Sequence, residues 1–107
     1  MEFAQQKTLS AIEIKEIRQK LKLKQKEMAK FLNVSVKTVE HWESTGGSVG
    51  GAAASLLGIL REYPWLLEEM SVPDRTFPLR LRYMYENRLC TVIDVDVRTR
   101  RVKIKNF

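Results

Sequence analysis

Residues 25–43, Q-K-E-M-A-K-F-L-N-V-S-V-K-T-V-E-H-W-E, decide the fold of this chain. They read as two short helices joined by a tight turn. Met28, Leu32, Val39 and Trp42 are apolar at positions that face one shared core, and Ala29 is small where the two helices must cross closely. Asn33 falls at the bend, where the backbone has to turn left-handed and asparagine tolerates that better than most residues. Ser35 is a good N-cap for the second helix, because its hydroxyl can satisfy an orphan amide. Around the buried Val39 and Trp42, the residues Val36, Lys37, Thr38 and His41 are left pointing outward.

Working outward on the N-terminal side, residues 1–8 show no periodicity and read as a mobile arm. Ser10 and Glu13 have the spacing of a capping box, and Leu9 and Ile14 that of a hydrophobic staple. The helix they start is expected to run to about Lys22, with Ile14, Ile17 and Leu21 on one face and Lys15, Lys20 and Lys22 on a solvated one. On the C-terminal side, S-T-G-G-S-V-G-G holds four glycines in eight residues and is expected to be irregular. It lacks the Lys-Ser/Thr of a phosphate-binding P-loop, and reads either as a connector or as a loop bringing amides to phosphates. A fourth helix is expected over residues 52–62, with Leu56, Leu57, Ile59 and Leu60 in its core, and a fifth over 64–70, opened by Pro64. Trp65, Leu66 and Met70 are either core or a dimer and partner surface.

Beyond Pro73 the spacing changes from helical to alternating. Leu79, Leu81, Tyr83 and Tyr85 alternate with Arg80, Arg82 and Met84, which is the pattern of a half-buried strand. Glu86-Asn87-Arg88 fits a three-residue hairpin loop with Asn87 left-handed. The expected register sets Tyr85 against Leu89, Tyr83 against Thr91 and Leu81 against Ile93. A second turn near Arg98-Thr99 sets Val95 against Val102, Ile93 against Ile104, Asp96 against Arg101 and Asp94 against Lys103. One face of this meander is apolar. The other carries Arg80, Arg82, Arg101, Lys103 and Lys105 around two aspartates. Such a sheet must cover its apolar face, on the helices, on a second copy or on another protein. The sequence ends at Phe107, inside or just after the last strand, which suggests either a truncated chain or one that continues in longer relatives.

The 107 residues carry a net charge of +6, which suits a polyanionic partner. Residues 1–43 hold nine Lys/Arg against six Asp/Glu, residues 44–72 one against three, and residues 73–107 nine against four. No apolar run is long enough to span a membrane and the N-terminus lacks the core of a signal peptide. With the single cysteine, Cys90, this points to a cytoplasmic protein without internal disulfides. Catalysis is not expected: the one histidine lies on the outward face of the second quoted helix, and Cys90 has no histidine near it in sequence. No cofactor or metal is called for.

The quoted stretch resembles the helix-turn-helix of the Cro/repressor (XRE-type) family, and the resemblance covers roughly residues 9–70. It rests on Gln25, Glu27, Ala29, Val39 and the pair Trp42-Glu43, with Asn33 where the family has glycine and Lys24 where it usually has a capping Ser or Thr. The closing L-N-V-S-V-K-T-V-E-H-W-E is similar to antitoxins and phage-type regulators. The resemblance implies a five-helix λ-repressor-like domain over 1–72; with the small antiparallel three-stranded meander that the alternation predicts over 73–107, the chain is expected to be α+β. It also implies that Arg18 and Glu43 form a partly buried ion pair, and that helix 35–43 enters a major groove, which is wide enough to take one. Val36, Lys37, Thr38 and His41 would then read bases, while Gln25, Lys26 and Ser35 hold phosphates. The expected function is a sequence-specific repressor binding double-stranded DNA as a homodimer. The alternative is an antitoxin-like module whose β extension binds a partner protein.

Overall fold

The computed structural model of the chain describes residues 1–44 and 46–107. The elements follow in the order β1 (Thr8–Ser10), α1 (Ala11–Lys20), α2 (Gln25–Leu32), α3 (Val36–Ser44), β2 (Ser48–Gly50), α4 (Gly51–Glu62), α5 (Trp65–Met70), β3 (Leu79–Tyr85), β4 (Arg88–Asp96) and β5 (Arg101–Asn106). Among the described residues five helices thus precede an antiparallel meander of order β3-β4-β5, the α+β arrangement expected. The chain divides into two units, Met1–Leu66 and Leu67–Phe107, with the boundary inside α5 rather than at residue 72.

In the first unit, the Ser10 hydroxyl accepts the Glu13 amide at 3.2 Å and Glu13 Oε1 accepts the Ser10 amide at 3.1 Å, closing the capping box of α1. That backbone bond, seconded by Arg61, holds the Glu13 carboxyl below its ordinary pKa. The helix stops at Lys20, two residues short of expectation. Lys22 turns left-handed (φ 57°), the Leu23 amide reaches back to the Arg18 carbonyl at 3.1 Å, and the Lys22 amide to that of Gln19 at 3.0 Å. This Schellman turn redirects the chain so that Leu23 packs on the core instead of extending the helix.

The core is built from Leu9, Ile14, Ile17, Met28, Ala29, Val39, Ala54 and Leu57, with Leu21, Leu32, Val34, Trp42 and Val49 packed against it. Burying each large aliphatic side chain stabilises the fold by about 1.5–3 kcal/mol. On α4 the buried stripe is Ala54, Leu57 and Leu60, at helical spacing. Leu56 is only half-buried and Ile59, expected in the core, is exposed, because it lies off that stripe.

Two segments expected to be irregular are ordered by each other. Thr8–Ser10 pairs antiparallel with Ser48–Gly50, setting Leu9 opposite Val49. The glycine-rich stretch therefore contains a strand, although its Thr45 lies outside the described residues. Its last glycine, Gly51, sits at φ +69°, a conformation that disfavours any side chain. The arm expected to be mobile is held from Gln6 onward. The Gln6 side chain accepts from Arg61 at 2.8 Å and donates to the Thr8 carbonyl at 2.7 Å, and its backbone carbonyl accepts from the Ser55 hydroxyl at 3.3 Å. Gly58 makes room for this: a Cβ there would lie 2.6 Å from Gln6 Cβ.

In the second unit the register is that expected over most of its length: Leu81 opposite Ile93, Tyr83 opposite Thr91, Val95 opposite Val102, Ile93 opposite Ile104 and Asp96 opposite Arg101. The first hairpin differs. A shift between Tyr83 and Met84 pairs Met84 with Leu89 and Tyr85 with Arg88 rather than Tyr85 with Leu89. The turn shrinks to two residues, and the positive φ (55°) falls on Glu86, not on Asn87. The tight second turn is stabilised by Asp96, whose Oδ1 accepts from the amides of Arg98 and Thr99 at 3.1 and 3.4 Å.

The larger departure concerns which face of the sheet is covered. Asp94 stands opposite Lys103 as expected, but it is 3 % exposed and its ion pair is with Arg80, whose Nε and Nη2 donate to its two oxygens at 2.6 and 2.8 Å. Arg80 also donates to the Pro73 carbonyl at 2.6 Å, and Lys103 Nζ to the Thr76 hydroxyl at 3.0 Å while lying over the Phe77 ring. Lys105 Nζ donates to the carbonyls of Glu68 and Ser71. Residues 68–77 thus cover the basic face, and the apolar face is the one left in solvent. Long cationic side chains offer donors to a strap of backbone carbonyls that has few other partners.

Two predictions follow from these contacts. Gly58→Ala should lower stability by about 2 kcal/mol in a thermal melt, because Gln6 backbone and Cβ must move. Gly46→Ala, where an added Cβ meets nothing within 4 Å, should change it by less than about 0.5 kcal/mol. The second concerns acid. The Arg80 hydrogen bond, ahead of its charge, holds the Asp94 carboxyl below its ordinary pKa of 3.8. The stability it supplies is therefore complete above that value and is lost as pH falls through the depressed one. Far-ultraviolet circular dichroism in acid should show the sheet weakening in that window. Asp94→Asn should be less stable at neutral pH and lack that component of the acid transition.

Candidate nucleic-acid interface

The site is built on the turn between α2 and α3. Lys24 begins α2 in place of a capping hydroxyl. An ammonium has no acceptor, so only half of a capping box forms, Glu27 Oε1 accepting the Lys24 amide at 2.8 Å. The helix closes on Asn33 in the left-handed region (φ 57°, ψ 46°). The Val34 amide reaches back to the Ala29 carbonyl at 3.0 Å and the Asn33 amide to that of Lys30 at 3.2 Å. The residue at the bend therefore adopts the conformation for which glycine is usual.

Ser35 then caps α3. Its Oγ accepts the Thr38 amide at 3.2 Å and lies 2.8 Å from the Thr38 hydroxyl. The two hydroxyls share one of their protons between them, which leaves one for an outside acceptor. Thr38 is half-buried and Ser35 exposed. Val36 packs partly against the core, so only part of its side chain faces outward.

The back of α3 is locked. Val39 is fully buried, and Glu43 takes two hydrogen bonds from Arg18, Nε to Oε2 at 2.9 Å and Nη2 to Oε1 at 2.8 Å. The Glu43 side chain is 6 % exposed and that of Arg18 15 %. Arg18 Nη1 donates in addition to the Leu23 carbonyl at 3.1 Å. The fork-to-fork geometry is the strong form of the ion pair, and it fixes the end of α3 to α1 and to the turn before α2.

The front of α3 is open. Lys37, Glu40 and His41 are exposed, lie three and four residues apart on one face, and form no side-chain hydrogen bond or ion pair among the described residues. Glu40 is not among the residues that the sequence pattern marks for base reading, since a carboxylate is an unusual group to offer a polyanion. Its spacing from Lys37 was the available signal. Gln25, half-buried, and Lys26, exposed, stand at the start of α2, whose first amides have no intrahelical acceptor.

The remaining candidates are not gathered here. Trp65 and Met70 are exposed on α5, which buries none of its residues, and Leu66 is half-buried. Arg80, Lys103 and Lys105 are engaged within the second unit as described, while Arg82 and Arg101 have no ion pair among the described residues. No described helix is long and apolar enough to cross a membrane.

Replacing Glu43 with Ala should strand a largely buried guanidinium and lower stability by about 3 kcal/mol, the lower end of the range for broken buried pairs because Arg18 keeps some contact with water. Chemical denaturation measures it, and an unchanged midpoint would show that the pair contributes nothing.

No curated protein and no solved structure matched the chain. A family model described as helix-turn-helix matches residues 14–49, about a third of the chain, from Ile14 of α1 to Val49 of β2. The match spans Ile14, Ile17, Met28, Ala29 and Val39 of the core, the left-handed Asn33, the capped α3 and the Arg18–Glu43 pair described above. This match to a helix-turn-helix model supports a DNA-binding regulator of the Cro/repressor (XRE) type.

Proposed function

We propose that the protein is a sequence-specific DNA-binding repressor that places α3 in the major groove. The observation that carries this reading is the asymmetry of α3: its back is held by Val39 and the Arg18–Glu43 pair, while Lys37, Glu40 and His41 stand exposed with no side-chain partner among the described residues. A rigid helix with an uncommitted polar stripe is what direct readout requires. Lys37 offers donors to the O6 and N7 acceptors of guanine, and His41, one turn further on, reaches a neighbouring base pair. Gln25, Lys26 and the one hydroxyl proton that the Ser35–Thr38 bond leaves free hold phosphates and set the register. A homodimer would carry two such helices to half-sites about one helical turn apart.

Glu40 has a place in the same reading. An unpaired carboxylate approaching a polyanion is repelled unless it meets a donor, and the cytosine N4 amino group is the donor that a carboxylate recognises in the major groove. Glu40 therefore reads a cytosine.

A second reading draws on the open apolar face of the sheet: an antitoxin-like module that holds a partner protein there while the helical unit anchors it on DNA. A toxin-sized reading frame beside the gene would favour it.

The decisive experiment is in vitro selection of a binding site, followed by salt titrations on selected and scrambled duplexes. Lys37→Ala or His41→Ala should cost roughly 1–3 kcal/mol on the selected duplex and little on the scrambled one. Lys26→Ala should weaken both alike and reduce the salt slope by about one charge. Glu40→Gln should exchange a selected cytosine for adenine, since an amide pairs with adenine N6 and N7. Equal losses on both duplexes for Lys37 and His41 would remove α3 as the reader.

A further inference from the structure

The second unit buries only one of its apolar side chains, Val92, and one charged residue, Asp94. A three-stranded sheet with so little covered surface gains little stability from burial within the unit. The register shows where the deficit lies. Three cross-strand rows share one face: Leu79–Val95–Val102, Leu81–Ile93–Ile104 and Tyr83–Thr91–Asn106. No charged side chain interrupts them, and Leu79, Leu81, Tyr83, Val102 and Ile104 are 44–62 % exposed, with Tyr85 beyond them at 64 %. Their exposed area is on the order of 600 Å², the upper end of the largest apolar patch on an ordinary monomer.

We infer that this face is the contact between two copies of the chain, packed sheet on sheet. The charge distribution selects the occupant. Residues 73–107 carry nine Lys/Arg against four Asp/Glu, so an acidic partner would be drawn to the basic side chains, which lie on the other face, at the turns and at the strand ends. A second copy is a like-charged partner, and it meets least repulsion on the one surface of the unit built without charge. Two such faces together bury about 1,200 Å², the lower edge of the standard range for a specific interface. Sheets of this kind pack about 10 Å apart with their side chains interleaved. A two-fold axis running along β4 would bring the central Ile93 against its own copy and β3 over the partner's β5, so that the same residues serve both sides. This inference does not rest on DNA binding and would stand if α3 read nothing.

Sedimentation equilibrium of the full chain tests it. The expected result is a dimer at tens of micromolar that tightens with salt as like charge is screened, opposite to the salt response of DNA binding. Ile104→Lys and Tyr83→Lys, both already exposed, should sediment as monomers with unchanged circular dichroism. Val97→Lys, past the last paired residue of β4 and 74 % exposed, should remain dimeric. If Ile104→Lys fails to fold, Tyr83→Lys alone decides. A wild-type monomer overturns the inference, including one that instead forms a stable complex with a different protein. A dimer that survives both substitutions overturns it as well.

Discussion

Arg18 directs two parallel N–H groups at Glu43 and a third at the Leu23 carbonyl. The position of α3 depends on this one side chain. It joins the last turn of α1 and the turn before α2, which the Leu23–Arg18 backbone bond already ties together, to the end of α3. Apolar packing at Val39 and Ala29 brings α2 and α3 together but tolerates sliding and rotation, because dispersion has little direction. A planar guanidinium on a carboxylate has strong direction. With Glu43 6 % exposed, water cannot substitute for the arginine, so the rotation of α3 about its axis is set. The front of the helix can then remain free of internal partners and still be presented in one orientation.

The same unit shows how a small core is extended by local pairing. Leu9 belongs to the core and also to β1, which pairs with β2 of the glycine-rich stretch. The strand lies between α3 and α4, and so ties the entrance of α4 to the N-terminal chain. Gln6 continues the attachment through Arg61 and Ser55 on α4, and Arg61 reaches Glu13 of the α1 capping box at 3.3 Å. Each of these polar contacts is modest alone. Together they hold a segment that has little apolar area of its own.

The second unit distributes its surface in the opposite way to an ordinary half-buried sheet. Its charged face is closed by a strap whose carbonyls accept from Arg80 and Lys105, while its apolar face is open. An apolar partner on the open face would add burial that the strap does not supply.

Much was legible before the structure. The capping box at Ser10–Glu13, the bend at Asn33, the cap at Ser35, the buried Val39 and most of the meander's register follow from short-range rules: a hydroxyl beside a free amide, a period of 3.6 or 2, opposite charges across strands. The Arg18–Glu43 pair was legible only through the family's pattern, since 25 residues separate the two and no local rule links them. What the tertiary structure alone decided is of another kind. Lys22 turns left-handed because Leu23 is needed in the core, and residues 48–50 become a strand because Thr8–Ser10 is there to pair with them. Glu86 rather than Asn87 takes the positive φ because a register shift tightens the hairpin. Alternation states that a sheet has an apolar and a charged face, but not which one a distant segment will cover. That depends on where the unpaired carbonyls of residues 68–77 find donors, and the donors are on the basic face.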